Sequence, residues 1–291
     1  MSYEPQEKGV PIRQPATANL MIDSADRNGK YTSPFDFQIE RNNSIMNGFF
    51  SRIGTTEVVL EWNQPNGAKL ANTAPNFQIL VSTSSGFTST TIQNLAFSNV
   101  FYTASNALDA LVGQLDVQFA PNTFAISTVA GTTALAASPG LTFAISTNAY
   151  TKALGLDTVS SFVSTFNVAD ISAPDLRPYR YIDFTSQQLT YNQDLKDNST
   201  ANISRDVLCR WYFDYDNPAP LDGYGFPIEM GYEPFKIRRL FNLPKQIKWN
   251  PNQPLGNLGF QVYGNGELSP IVPINKPNGS EWLMTLQFSE N

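Results

Sequence analysis

The chain has 291 residues, a formal net charge of −6 and a charged-residue content of only 15%, where about a quarter is usual in soluble proteins. It contains no histidine and one cysteine, which excludes Ser-His-Asp and Cys-His catalytic groups, histidine metal sites and disulfides within the chain. The acidic balance also argues against general nucleic-acid binding, because phosphate groups are bound mainly by Lys and Arg.

The first 18 residues contain several Pro and Gly residues and few large apolar ones. This composition predicts an extended arm over 1–18, either a free tail or a segment that orders against a neighbouring molecule. No stretch has the apolar length of a signal peptide core or of a membrane span. The sequence therefore predicts a protein that neither follows the standard secretion route nor spans a membrane, and its single cysteine fits a reducing compartment.

Short runs with alternating apolar residues predict strands in the first part of the chain. They cover residues 19–24, 35–39, 49–62 and 76–83, as expected for sheets with one buried face. Gly54 indicates a bulge in the third run. The segment 63–75, rich in Asn, Pro and Gly, is expected to be a loop.

Residues 84–168 differ from the rest of the chain because charge nearly disappears. The only charged residues between Ser84 and Val168 are Asp109, Asp116, Lys152 and Asp157. The hexapeptide TFAIST occurs at 123–128 and again at 142–147. It predicts two strands side by side in a hairpin or meander, unless the repeat is a coincidence of a low-complexity stretch. Two copies are too few for a solenoid.

Apolar spacing predicts two helices in the same segment, over 105–115 and 148–156. The order helix, strand, strand, helix is typical of a small α+β unit. The alternative is that 85–168 belongs to one continuous β domain.

The second half returns to the pattern of strands. Residues 177–185, 207–215 and 282–288 alternate or are strongly β-forming, whereas 192–202 and 216–227 are rich in polar and turn residues and are expected to be loops. In the last strand one face is formed by Trp282, Met284, Leu286 and Phe288. A chain that ends on such a strand usually ties its terminus into a sheet.

Acidic residues supply the only candidates for a metal site. A loop rich in Pro and Gly contains Asp214, Asp216, Asp222 and Glu229. Carboxylates on a loop can bind Ca²⁺, but this spacing does not match an EF-hand, and turn formation is the commoner role of such residues. The same holds for Asp23 and Asp26. The glycines around Asn265 lack the context of a phosphate loop, so the sequence predicts no catalytic residue, no cofactor and no metal.

Two other clusters favour structural roles. The basic residues Lys236, Arg238, Arg239, Lys245 and Lys248 are expected to form a solvated face or a protected strand edge. An aromatic cluster comprises Trp211, Tyr212, Phe213, Tyr215, Tyr224, Phe226, Tyr232 and Phe235. A β-sandwich core is its leading interpretation, with a subunit contact or a sugar-binding shelf as alternatives for the loop residues. Cys209 is interpreted as a small buried apolar residue.

Several segments resemble a known family in content and order. They read IDSADRN and SPFDFQI near the N-terminus, YRYIDFTSQQLTYNQ and RDVLCRWYF in the middle, and GFQVYGNGELSP and EWLMTLQFSE near the C-terminus. Together they resemble the minor capsid proteins that form the pentameric vertices, or pentons, of virophages, polinton-like viruses and related large DNA viruses. The resemblance covers residues 19–83 and 174–291.

The resemblance implies an all-β fold, an antiparallel jelly-roll β-sandwich with a small inserted α+β unit. The domains would be an extended arm over 1–18, a jelly roll over 19–84 plus 169–291, and an inserted α+β domain over 85–168.

The same resemblance implies a structural capsid protein of the virion rather than an enzyme. Five copies would form a homopentameric penton at the icosahedral vertices and contact the neighbouring major capsid protein, after assembly in the host cytoplasm or nucleus. Residues 85–168 would project outward, where they could meet a host receptor, and the arm would lie beneath adjacent major capsid subunits. No nucleic acid is expected as a partner.

Two other functions fit the composition. A carbohydrate- or receptor-binding β-sandwich, such as a viral fibre head, would place sugar affinity in the aromatic loop 211–235 or in 85–168. A histidine-free glycosidase would need only two carboxylates, but no pair stands in a recognisable motif.

Overall fold

The computed structural model of the chain describes residues 16–40, 50–67, 70, 77–83, 86–92, 97–121, 123–156, 167–191, 197–200, 203–205, 207–215, 218–250, 256–265, 267–273 and 280–290. The strands, in chain order, are β1 (Thr17–Asp23), β2 (Asp36–Glu40), β3 (Arg52–Trp62), β4 (Phe77–Thr83), β5 (Gly86–Ile92), β6 (Phe124–Val129), β7 (Thr132–Ala137), β8 (Thr142–Ile145), β9 (Val168–Ile171), β10 (Tyr181–Thr185), β11 (Asp197–Thr200), β12 (Ile203–Arg205), β13 (Val207–Tyr212), β14 (Phe235–Leu240), β15 (Ile247–Lys248), β16 (Asn257–Gly264) and β17 (Glu281–Ser289). The helices are α1 (Ala104–Phe119), α2 (Ala149–Ala153) and α3 (Gln187–Thr190), with a 3₁₀ turn at Ser24–Asp26.

Eight principal strands form two antiparallel sheets. Sheet A has the order β1-β17-β3-β14, with β15 also paired to β3, and sheet B has the order β13-β10-β16-β2. In chain order these strands pair from the outside inwards: first with last, second with seventh, third with sixth and fourth with fifth. This nested pairing is a jelly roll, so the predicted fold class is confirmed.

The inner faces of the two sheets enclose an aromatic-rich core. The indole of Trp282 contacts the rings of Phe37, Phe184 and Phe260 at centroid distances of 5.5, 5.1 and 5.6 Å. Its Nε1 donates a hydrogen bond of 2.7 Å to the carbonyl of Pro34. The predicted period-two face of the C-terminal strand is confirmed, because every second residue of β17 is buried.

The bulge lies two residues beyond its predicted position. In the pairing of β17 with β3, Thr285 faces Glu57 and Leu286 faces Thr55, so Thr56 is the extra residue rather than Gly54. The Thr56 side chain donates to the carbonyl of Thr285 at 3.2 Å, and its own carbonyl accepts from Phe241. The bulge thus directs the carbonyl of Thr56 in β3 towards Phe241, the residue that follows β14.

Between β3 and β10 the chain builds a second unit around its own apolar cluster. It contains the three-stranded sheets β5-β4-β8 and β6-β7-β9 together with α1 and α2. Leu108, Leu111 and Leu115 of α1 are fully buried, as their predicted spacing requires. The side chain of Thr103 caps α1 by accepting from the backbone of Asn106.

The strand Phe77–Thr83 belongs to the second unit, whereas the sequence predicts that it belongs to the jelly roll. Its strand pattern suggests membership of the jelly roll, but β4 pairs with β5 and β8 in the second unit. An alternating apolar pattern records which face of a strand is buried and says nothing about which strand lies beside it.

The repeated hexapeptide is also arranged differently from its prediction. The two copies do not pair with each other, because β6 pairs with β7 and β8 pairs with β4. The equivalent residues Phe124 and Phe143 instead meet across the core of the second unit, with ring centroids 5.6 Å apart in an edge-to-face arrangement. The repeat therefore supplies facing strands of two different sheets.

Two predicted boundaries also change. Thr17 and Ala18, placed in the arm by composition, are paired in β1 with Ser289 and Phe288, and residues 1–15 lie outside the described residues. The predicted loop 192–202 includes the strand β11, which pairs with β12.

The helix near 148–156 is shorter than predicted. It spans only Ala149–Ala153, behind a capping box between Asn148 and Thr151. It ends before Gly155, which has a φ of +66°. A Cβ at this glycine would lie 1.8 Å from the carbonyl oxygen of Ser172, so no larger residue fits without moving the backbone.

Candidate interaction surfaces

Among the described strands, neither sheet of the jelly roll closes on itself, so the sandwich has two sides that are formed by edge strands. On one side β14 is the edge of sheet A and β13 the edge of sheet B, and we call this the β13–β14 side. On the other, β1 and β2 are the edge strands, and we call it the β1–β2 side. An edge strand can pair with a strand of another chain, so these two sides are the candidate surfaces for subunit contacts.

Basic side chains cover the edge of β13. Arg239 donates to the backbone carbonyls of Tyr212 and Asp214, and its guanidinium lies 4.5 Å from the ring of Trp211. At the other end of the strand, Lys245 donates to the carbonyl of Val207 at 3.1 Å. These cations occupy carbonyls that a foreign strand would need, which is a known way to protect an edge.

The remaining basic residues of this side lie on the outer face of sheet A or near it. Lys236 pairs with Glu61, which lies directly opposite on β3, at 2.9 Å, and Arg238 pairs diagonally with Glu57 of the same strand. The interpretation of the basic cluster as a protected edge and solvated face therefore agrees with the observed geometry.

A cleft of about 400 Å³ opens on the β13–β14 side, where β13 begins and β14 ends. Its lining includes Leu208, Phe241 and Leu243 together with Lys245. Leu243 is 95% exposed and the neighbouring Leu240 is 61% exposed. This side thus combines cationic groups with uncovered apolar side chains.

Cys209 lies on the wall of this cleft and is almost fully buried. Burial raises the pKa of its thiol to about 12. The thiolate, which is the reactive form, is therefore scarce near neutral pH.

We expect native Cys209 to react with 5,5′-dithiobis(2-nitrobenzoate) at pH 8 roughly a thousandfold more slowly than a free cysteine. After unfolding in guanidinium chloride, the chain should release one equivalent of chromophore, because it has a single cysteine. Rapid reaction of the folded protein would show that the thiol is open to solvent.

The outer face of sheet B carries a buried ion pair. Asp183 on β10 is fully buried, and Arg210 on β13 holds both of its carboxylate oxygens at 2.7 and 3.0 Å. The pairing with Asp183 raises the pKa of Arg210 above its usual value. The guanidinium also lies 4.0 Å from the centre of the Tyr181 ring, whose neighbour Tyr212 is 49% exposed. Tyr and Arg held rigidly at a surface are typical of interface hot spots.

The predicted acidic cluster is dispersed among structural roles. Asp222 accepts hydrogen bonds from the backbone of Ser105, Tyr224 and Phe226, so it shapes its own turn and caps the first turn of α1. Asp214 pairs with Arg177 at 2.5 Å, and Asp216 lies outside the described residues. The described part of the chain contains no group of three or more Cys, Asp or Glu side chains arranged to hold a metal ion.

The loop between β13 and β14 anchors the second unit to the jelly roll. Tyr224 donates to Asp109 of α1 at 2.5 Å, and this bond raises the pKa of the phenol to about 12. The hydroxyl of Tyr232 accepts from the backbone of Leu176 at 2.7 Å and donates to the carbonyl of Pro174 at 3.4 Å. Both rings pack on the second apolar cluster, which disfavours a sugar-binding shelf for them.

The rest of the aromatic cluster divides between the core and the surface. Trp211 and Phe213 are fully buried in the jelly-roll core, as the leading interpretation predicts. Phe226 packs on the second apolar cluster, Phe235 is partly buried against the core, and Tyr215 is 36% exposed.

The β1–β2 side is acidic over its described residues. Asp23 caps the turn after β1 by accepting from the backbone of Ala25, which confirms its predicted turn role, and Asp26 lies within that turn. Met21 is 65% exposed on the outer face. Over 16–40 the acidic residues Asp23, Asp26, Asp36 and Glu40 outnumber Arg27 and Lys30.

Other predicted sites have structural explanations or stay outside the described chain. Asn265, between two glycines, forms the turn after β16 and accepts backbone hydrogen bonds from Arg180 and Tyr181, while Gly266 lies outside the described residues. Within the described ranges, the helices are too short or too polar to cross a membrane.

Sequence reasoning missed the pair formed by Asp183 and Arg210. The alternation of this strand places Asp183 on the same face as Tyr181 and opposite Ile182 and Phe184, where a carboxylate is unremarkable. Its burial depends on Arg210 lying directly opposite on β13, and a strand register is not readable from one strand.

Comparison with known proteins gives likeness in structure alone. No protein-family model matches the chain, and neither does any curated protein. The crystal structure of the mavirus penton protein superposes with a TM-score of 0.57 and 13% identity, covering 96% of this chain and 100% of that one. A chain in the cryo-EM structure of the Sputnik virophage matches with a TM-score of 0.50 and 14% identity, covering 94% and 98% of the two chains. Identities this low show a shared fold.

Proposed function

We propose that the protein is a structural capsid protein that forms a homopentameric penton at the vertices of an icosahedral virion. The observation that carries the proposal is the extent of the likeness to the mavirus penton protein, which covers 96% of this chain and the whole of that one. The aligned region therefore extends over the second unit as well as the jelly roll. A jelly roll alone would not suffice, since this fold serves many functions.

The two open sides of the sandwich suit a ring. A closed ring of more than two copies needs heterologous contacts, in which one surface of each copy meets a different surface of the next. The β13–β14 side and the β1–β2 side differ in charge and lie on opposite flanks of the same sheets. The low overall charge also reduces the desolvation that assembly requires.

The second unit is the part that would face outward. We take the jelly-roll domain to end after β3 and to resume before β10, with the chain between them as the inserted domain. This boundary replaces the sequence-based limits of 85–168, because β4 and β9 pair within the second unit. Its surface from Val117 to Thr151 has no charged residue, and contact with a host receptor is assigned to it.

The direct test is the native mass of the purified chain, measured by light scattering over a range of concentrations. A penton predicts a closed pentamer, five times 32.2 kDa or about 161 kDa. A stable trimer would instead favour a fibre head. Co-expression with the major capsid protein of the same virus provides the second readout, namely incorporation at the vertices seen by electron microscopy.

The N-terminal arm is assigned to contacts with adjacent major capsid subunits. Deleting residues 1–15 should leave the melting temperature unchanged, because β1 begins at Thr17, yet reduce incorporation into shells. Deleting residues 1–23 is the matched comparison, since it also removes β1 and should destabilise the fold. Normal incorporation of the shorter deletion would contradict the role of the arm.

A further inference from the structure

The strand register of sheet A aligns complementary residues at its two edges. Asp23 on β1 faces Leu283, which faces Val59, which faces Arg238 on β14. Asp23 and Arg238 therefore occupy opposite ends of one row across the outer face of the sheet.

The next row shows the same match with apolar residues. Met21 faces Thr285, which faces Glu57, which faces Leu240 on β14. Met21 is 65% exposed and Leu240 is 61% exposed. The two edges of the sheet therefore carry an acid and a base, Asp23 and Arg238, in one row. They carry two exposed apolar residues, Met21 and Leu240, in the next row of the same face.

Charge over the two edges supports the same match on a larger scale. The stretch 235–250, which contains β14 and β15, has five basic residues and no acidic one, whereas 16–40, which contains β1 and β2, has four acidic and two basic residues. Opposite charges that meet across an interface favour encounter and set the register of the two partners.

Strand direction is also compatible with an edge-to-edge contact. Each strand of sheet A is antiparallel to its neighbour, so β1 and β14 run in opposite directions. Rotation about an axis parallel to the strands preserves those directions and keeps each row at its own height. The β1 edge of one copy would then meet the β14 edge of the next as an antiparallel neighbour, with the rows aligned.

We infer that the ring contact joins the β1 edge of one copy to the β14 edge of the next, with Asp23 opposite Arg238 and Met21 opposite Leu240. The occupant of each edge is thus a second copy of this chain, and the inference rests on the proposed pentamer. Arg238 also pairs with Glu57 of its own chain, so in the ring it would lie between two carboxylates. Five identical contacts of this kind close the ring.

Disulfide trapping tests the apolar row. Within one chain the positions of Met21 and Leu240 are three strand spacings apart, about 14 Å, which is too far for a disulfide. Under mild oxidation the double variant Met21→Cys/Leu240→Cys should therefore form covalent oligomers up to the pentamer. An equimolar mixture of the two single variants should give covalent dimers only, and each single variant alone should give no covalent oligomer. The matched control is Val117→Cys/Val129→Cys, two exposed positions of the second unit.

Charge reversal tests the acid–base row. Asp23→Arg and Arg238→Asp should each raise the protein concentration at which half of the chains are in rings by about tenfold or more, and the double variant should restore it. Asp170→Arg and Lys152→Glu, exposed in the second unit, make equal charge changes and should have no effect. Restoration by the double variant distinguishes a contact between copies from damage to either edge.

The outcomes separate this contact from the function it rests on. A wild-type pentamer that neither cross-links through the double cysteine variant above the control nor responds to charge reversal overturns the edge contact and leaves the penton in place. A wild type that stays monomeric at every concentration, and also fails to reach vertices on co-expression, overturns both.

Discussion

Replacing Arg210 by alanine should lower the free energy of unfolding by about 3–5 kcal/mol. The side chain of Asp183 has no exposed surface, whereas that of Arg210 is 31% exposed, so the variant leaves a buried carboxylate without its partner. Water cannot easily replace the two lost hydrogen bonds, and the stacking of the guanidinium on Tyr181 is lost as well. Urea denaturation of the purified variant measures the effect.

Two controls identify the buried charge as the cause. Arg180→Ala removes an arginine that is 75% exposed, and its effect should stay within about 0.5 kcal/mol. The double variant Asp183→Leu/Arg210→Met removes both charges and should recover most of the loss, because buried ion pairs often tolerate apolar replacement. An Arg210→Ala protein as stable as the wild type would mean that solvent reaches Asp183.

The second large effect is expected at Asn66, which joins three segments where the second unit leaves the jelly roll. Its amide donates to the carbonyls of Tyr102 and Leu176 at 2.9 and 3.2 Å, and its oxygen accepts from the backbone of Tyr102 at 2.8 Å. The residue is fully buried. Asn66→Ala leaves these backbone groups without partners and should cost about 3 kcal/mol or more, since each unsatisfied buried group costs about 1–3 kcal/mol.

Hydrogen exchange of Asn66→Ala shows which part of the chain is destabilised. Hydrogen exchange should accelerate first in the backbone around residues 98–104 and 172–177, before the jelly-roll strands respond, because local opening precedes global unfolding. Asn106→Ala is the matched control, since Asn106 is exposed on α1. Uniform exchange across both units would contradict a local role of Asn66 at the junction.

The roles of Asn66 and of the Asp183–Arg210 pair could not be predicted from the sequence, for the same reason. Asn66 stands in a stretch of Asn, Pro and Gly that predicts a loop, and its partners are 36 and 110 positions away. Asp183 reads as one polar residue in an alternating strand. In both cases the role depends on a partner brought close only by the fold, and one sequence carries no record of that partner.

Local patterns were informative where one segment contains the whole signal. The alternation of β17 indicates its buried face, and the apolar stripe of α1 indicates the side that packs. The absence of histidine excludes Ser-His-Asp and Cys-His catalysis and histidine metal sites. The same patterns misplaced β4 and the repeated hexapeptide, since sheet membership is a relation between segments.

By itself the sequence determined the β-rich class of this protein, the faces of its principal strands, the turn role of Asp23 and the burial of Cys209. These follow from periodicity and from the transfer of apolar groups out of water, which act over a few residues. Only the tertiary structure decided which strands are neighbours, that Arg210 neutralises Asp183, and that Asp23 and Met21 stand level with Arg238 and Leu240. Those relations depend on register between strands distant in the chain, where many pairings satisfy the same local pattern and packing of the whole sandwich selects one.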